Sequence, residues 1–340
     1  MEDVRYNEIK NTIKIWPYLD DISQTIFPYT FKYLSNDPQM VVNLDFSNVK
    51  RINSSISAIT LKKIVSLVIS EETTRFFKII MPEDQIITSF LQDTGFLSIL
   101  DDYCHFNKYS GDLFDVNVEI QKTTNSVINR IGDIKKTSFP LYCLKYNEDD
   151  PRESVNVFSE WFDDNVLSLL EKYSIRTDVL FAVITELAKN SLDHTCNDAF
   201  FGIDVVENTN ENSGELLFSC SDLGMGISQN VREHLRKNPQ KDLRFDVWRH
   251  ASLTDMYKWA FTLGNTTSKN SNNKGIGMTM IIDGVQELKM ELMFFDARSM
   301  MQIPDSQHYS DNSLSHEALR RKSWNTENKV GFYYYGRLKF

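Results

Sequence analysis

The chain is 340 residues long, 41% of them apolar, and carries 37 Lys and Arg against 47 Asp and Glu, a net charge of −10. That balance argues against general nucleic-acid binding, which rests on clustered basic side chains, and no apolar run approaches the roughly 20 residues of a membrane span. The length and apolar content fit two domains with real cores.

The first residues, Met1-Glu-Asp-Val-Arg-Tyr6, are polar and acidic and form no secretory signal. Cys104, Cys143, Cys196 and Cys220 are scattered without a CxxC pair, and the six histidines show no metal spacing. Reduced thiols, a cytoplasmic location and no zinc site are the expectation. Residues 40–46 read as a strand. Ser54 is placed to cap a helix over about 55–69. Phe76–Ile80 reads as a second strand closed by Pro82, and Gln85–Leu91 as a second helix before Thr94-Gly95-Phe96. Strand, helix, strand and helix imply a parallel pair joined by a crossover. Residues 1–105 are therefore expected as a small α/β domain. A connecting segment, 106–150, carries a strand or two, and Asn147-Glu-Asp-Asp-Pro151 marks a boundary before a domain over 151–340.

The second half holds three segments in order. In the first, Val179, Leu180, Val183, Ile184 and Leu187 recur at helical spacing, with Asp178 as the expected cap. Glu186, Asn190 and His194 follow one another at four-residue steps along one face. An Asn oxygen suits Mg2+, and a carboxylate one turn earlier can orient or deprotonate a water or hydroxyl. Alone, this is equally a solvated amphipathic helix. The second segment follows the apolar run Leu216–Cys220 and reads Asp222-Leu-Gly224-Met-Gly226-Ile227. A carboxylate there can accept from an exocyclic amine such as that of adenine, and the glycines allow a tight turn or close ligand approach. Alone, it is an ordinary loop. The third segment, Lys274-Gly275-Ile-Gly277-Met278, follows a polar stretch over 264–273 and opens a helix over 278–288. Backbone N–H groups at such a start suit phosphate oxygens. Neither the P-loop pattern nor the dinucleotide fingerprint is present.

Taken in order, the three segments over roughly 150–340 resemble the ATP-binding domain shared by gyrase, Hsp90, histidine kinases and MutL, the GHKL superfamily. Glu186, Asn190 and His194 match its N box, Asp222-x-Gly224-x-Gly226 its first glycine box, and Gly275-x-Gly277 its second. The resemblance implies a layered α/β sandwich, with Asn190 holding Mg2+ and Asp222 reading adenine. Gly224, Gly226, Ile227, Lys274, Gly275, Gly277 and Met278 would frame a lid over the phosphates, and Glu186 would be the general base. The chain departs from the family where a Gly-Thr often precedes the last strand: it has Gly336-Arg337. The stretch 298–328 is long for a hairpin connection. It contains a helical candidate at Leu314–Lys322, with Arg320 and Arg321, that reads first as a solvated insertion.

The N-terminal half resembles, on fewer residues, the STAS domain of anti-sigma-factor antagonists. The matching features are Leu44-Asp-Phe-Ser-Asn-Val49, then Ile52-Asn53-Ser54-Ser55, and later Leu91-Gln-Asp-Thr-Gly95-Phe96. In that family a serine at the helix start is phosphorylated, which makes Ser54 and Ser55 candidate phosphoacceptors. Asn53 and Ile56 replace the usual Asp and Gly.

Three functions fit these readings. One is an Mg-ATP switch, in which binding and slow hydrolysis close a lid and change the affinity for a protein partner, a second copy included. Another is a Ser/Thr kinase of the anti-sigma type. The third is a non-catalytic ATP-binding module. A two-component histidine kinase fits poorly, because His105 lacks the usual following acidic residue and Pro, and His316 falls after the ATP segments.

Overall fold

A computed structural model describes residues 6–7, 12–15, 17–20, 42–70, 77–103, 125–150, 152–224, 226–238, 253–262, 276–296, 299–303, 322–323 and 332–340. The first half contains β1 (Tyr6–Asn7), β2 (Thr12–Lys14), β3 (Tyr18–Leu19), β4 (Val42–Asp45), β5 (Arg51–Ile52), α1 (Ser54–Ser70), β6 (Phe77–Ile80), α2 (Gln85–Asp93) and α3 (Phe96–Tyr103). β7 (Val127–Ile131), β8 (Ile134–Ser138) and β9 (Tyr142–Leu144) follow. Next come α4 (Glu153–Phe162), extended by a π-helical turn at Asp163–Leu167 and a last turn at Ser168–Leu170, and α5 (Thr177–Asp193). The remainder is β10 (Ala199–Asn208), β11 (Ser213–Asp222), α6 (Ile227–Lys237), α7 (Leu253–Phe261), α8 (Gly277–Glu287), β12 (Glu291–Asp296), β13 (Ser299–Ile303), β14 (Lys322–Ser323) and β15 (Phe332–Lys339).

The architecture is mixed α/β. A small sheet runs β1-β2-β4-β6, and β4 lies parallel to β6 with Leu44 opposite Ile79, the crossover pair expected from the sequence. The large sheet is antiparallel and runs β14-β13-β12-β15-β11-β10-β8-β7, with β9 beside β8 on the same edge of β10. The segment 106–150 thus contributes three strands to the large sheet through its described part.

Side chains alternate between the faces of a strand, and on β10 and β11 both faces are covered. Phe201, Ile203, Val205, Leu216, Phe218 and Cys220 point into a core shared with α4, α5 and α8. Phe200 on β10, with Phe295, Tyr333 and Tyr335 on β12 and β15, points the other way, into a core shared with α1, α2 and α3. Hence the apolar run 216–220 alternates between two cores: Leu216, Phe218 and Cys220 serve one, while Leu217 packs on the other and Ser219 and Ser221 receive α1.

Small side chains let α1 lie close to the sheet. Ser219 Oγ donates to Ser55 O at 2.5 Å and Ser221 Oγ to Ala58 O at 3.3 Å. At Gly202 a Cβ would lie 1.9 Å from Ser54 O, so no larger residue fits without moving the helix. Asp204, fully buried on β10, holds the start of α1 from across the interface. Its carboxylate accepts from Ser54 N at 3.0 Å, Ser55 N at 2.8 Å and Ser138 Oγ at 2.5 Å. A helix leaves its first N–H groups without intrahelical partners, and an anion there is doubly favoured, by hydrogen bonds and by the dipole. Asn53, not Ser54, is the cap: its Oδ1 accepts from Ile56 N at 2.9 Å, while Ser54 Oγ donates to Phe139 O at 2.5 Å. At the end of α3, Tyr103 adds a second tie, donating to Asp198 and accepting from Lys145 Nζ at 2.8 Å.

The far end of β10 carries a buried charge cluster. Glu207 pairs with Lys135 at 2.9 Å, with Lys172, and with Tyr173 Oη at 2.9 Å. Burial pushes its carboxyl up, but Lys172, Lys135 and Tyr173 outweigh it and hold the group at about 2. Among the described residues no helix is long and apolar enough to cross a membrane.

Candidate functional site

α5 buries Leu180, Val183, Ile184, Leu187, Ala188 and Leu192 against the large sheet, the helical stripe expected from the sequence. Its start differs from expectation. Arg176 takes the cap position without a side-chain cap bond, and Asp178 sits in the first turn, paired with Arg176 at 2.7 Å. A carboxylate there still complements the dipole.

Beside this stripe, α5 turns Glu186 and Asn190 toward the start of α8. A Cβ built on Gly277 would lie 2.5 Å from Glu186 Oε2 and 3.5 Å from Asn190 Oδ1. The two helices are drawn together lower down, where a Cβ on Gly284 would lie 2.3 Å from Val183 Cγ2. Asn190 is buried, and its amide nitrogen reaches the Met278 thioether, a weak acceptor, at 3.6 Å, with its Oδ1 turned toward the α8 start. No side chain caps the start of α8. Glu186 is held by Lys189, whose ammonium lies 3.1 and 3.2 Å from its two carboxylate oxygens.

The second segment lies against the same helix. Ser191 Oγ and Cys220 Sγ are 2.9 Å apart, tying α5 to β11 two residues before Asp222. Asp222 is 3% exposed at the end of β11, and its Oδ1 accepts from Gly224 N at 2.8 Å. Gly224 packs on Thr195 just beyond α5. Gly226, at φ +89, starts α6 without a side-chain cap, and Ile227 bridges two apolar clusters. His194 closes α5. Burial, helped by the Lys189 charge, lowers its pKa to about 4, so the ring is neutral at physiological pH, while its carbonyl accepts from Asn230 Nδ2 on α6 at 3.5 Å.

Glu186, Asn190, Gly277 and Met278 thus meet directly. Asp222, Gly224, Gly226 and Ile227 belong to a segment tied to α5 and the residues after it, through Ser191 and Cys220, Thr195 and Gly224, and His194 and Asn230. Lys274, Gly275 and the polar stretch 264–273 lie outside the described residues, as do Cys104, His105, His316 and the helical candidate at 314–321. Ser54 and Ser55 are elsewhere: both are fully buried on the opposite face of the sheet. Lys189 was missed in the sequence, although its three-residue spacing from Glu186 on one helix is a usable signal.

Chemically, the meeting of α5 and α8 offers one neutral oxygen, one carboxylate and a helix start without a side-chain cap bond among the described residues. Among the described residues no group of three His, Cys, Asp or Glu is gathered for a metal. Asn190 Oδ1, turned toward that helix start, is a neutral oxygen of the kind that Mg2+ takes alongside phosphates and water. Compared with protein families, with curated proteins and with solved structures, the chain matches none.

Proposed function

We propose that this chain binds Mg-ATP between α5, α8 and the end of β11, in a site of GHKL type, and works as a nucleotide-dependent regulatory switch. The observation that carries the reading is the meeting of Glu186 and Asn190 with Gly277 at the start of α8. Segments separated by about 90 residues in the chain supply the groups that a nucleotide needs. Asn190 Oδ1 would hold Mg2+, which neutralises phosphate charge when bound. The N–H groups at the start of α8 would receive phosphate oxygens. Asp222 would accept from the exocyclic amine of adenine, and Glu186 would take the proton of an attacking water. The first half fits a STAS-like module docked on the rear of the sheet.

The switch is favoured over a kinase that modifies its own serines. Ser54 and Ser55 lie behind the sheet, with their hydroxyls bonded to Phe139 O and Asn53 Oδ1. A phosphate on either would have to enter a buried interface in which both backbone N–H groups are already bonded to the Asp204 carboxylate. The partner whose binding is switched is a protein, a second copy of this chain included.

The test uses γ-labelled ATP with Mg2+ on the parent and on Glu186→Ala, counting free phosphate and label on protein. Phosphate release by the parent, lost in a variant that still binds ATP, is the expected result. Equal turnover by both removes Glu186 as the base. Label retained on protein moves the reading to a kinase, and bound ATP without either signal moves it to a non-catalytic module.

A further inference from the structure

Resting on that reading, we propose that Lys189 is the charge-balancing residue of the nucleotide site, neutralising Glu186 so that a polyphosphate can be seated beside a carboxylate. The problem it answers is electrostatic. A carboxylate able to receive a proton from water must stand near the terminal phosphate, and the two repel. Here that carboxylate faces the start of α8, where phosphate oxygens would sit. Lys189 Nζ contacts both oxygens of Glu186, at 3.1 and 3.2 Å, from one turn further along α5. The side chains of Lys189 and Glu186 are 29% and 17% exposed, so the pair is screened less than one in open water. The ammonium is felt elsewhere too: burial lowers the His194 ring and Lys189 adds to it, while burial raises the Asp193 carboxyl and Lys189 partly offsets it.

A charge-balancing role differs from a packing role in one respect. Removing the ammonium harms nucleotide binding only while Glu186 carries its charge. The test is a double-mutant cycle on equilibrium binding of Mg-ATP, measured by calorimetry on the parent, Lys189→Met, Glu186→Gln and the double variant. Lys189→Met is expected to weaken binding about tenfold, a shift in line with one partly screened charge contact. Glu186→Gln is expected to bind at least as well as the parent. In that background Lys189→Met is expected to cost about twofold or less, as for an exposed side chain. Lys189→Arg, which keeps the charge, is expected to restore the parent affinity. Equal losses in both backgrounds, or failure of Arg to rescue, overturn the proposal while leaving ATP binding standing. A parent that binds no ATP overturns the nucleotide reading, and this proposal with it.

Discussion

Asp204 and Asn190, buried on opposite sides of the large sheet, are partnered in opposite ways. Behind the sheet, Asp204 is surrounded by donors: two backbone N–H groups at the start of α1 and one hydroxyl, all at 3.0 Å or closer. In front, Asn190 is nearly as buried, yet its amide has a thioether at 3.6 Å. Glu186 is held by a lysine on its own helix. A buried polar group without good partners costs free energy, so a fold keeps one where another molecule completes it. Saturation marks the Asp204 contact as a permanent dock, and the weakly partnered Asn190 marks the start of α8 as a place for a ligand.

The largest effects are expected from breaking the dock. Gly202→Val puts side-chain atoms where Ser54 O now lies, and Asp204→Ala strands two N–H groups. Each is expected to destabilise the protein by about 3 kcal/mol or more. The check is chemical denaturation together with hydrogen exchange at the start of α1. Unchanged midpoints and protection would sink the account of the rear face.

A middle effect belongs to the distal end of the front face. Glu207→Gln is expected to cost about 2 kcal/mol at neutral pH, since Lys135 and Lys172 lose a charged partner. The carboxyl is held at about 2 in the folded protein, below its ordinary value of 4.5. Its contribution is therefore fully present above about 4.5 and fades as pH falls toward 2. The gap between parent and variant should close over that window in thermal melts, and a gap independent of pH would contradict it.

The smallest effect on stability, and the sharpest contrast, is expected at Asn190. Because its side chain has only a weak partner, Asn190→Ala is expected to change stability by about 1 kcal/mol or less. Mg-ATP binding, read by calorimetry, is expected to disappear. A large stability loss would make Asn190 a structural residue like Asp204.

How much of this the sequence disclosed follows from the range of the forces involved. The stripe on α5, the parallel pair of β4 and β6, and the helix beginning at the third glycine segment are local patterns, and spacing reveals them. Asp178 reads from the sequence as the cap of α5 and instead lies in its first turn, because the helix starts two residues earlier, at Thr177, with Arg176 at the cap position and paired with Asp178. The dock was hidden for another reason. Ser54 meets Asp204 from 150 residues away, and no periodicity encodes a contact of that separation. One trace was available: an aspartate inside Phe200-Phe-Gly-Ile-Asp-Val205 is a charge in an otherwise apolar strand. Such a misfit is a sign that something distant must meet it. Lys189 shows the reverse case, a purely local pairing whose three-residue step is hidden beside the four-residue step from Glu186 to Asn190.

The close approach of Gly202 to Ser54 also bears on how such a chain can be assembled from parts. In linear order the two halves look like interchangeable beads joined by a connector. In space, one half supplies the glycine and the aspartate, and the other supplies the helix start that fits them. Recombination that replaced either half alone would inherit half of a fitting: a side chain at 202 to collide with α1, or a carboxylate at 204 facing nothing.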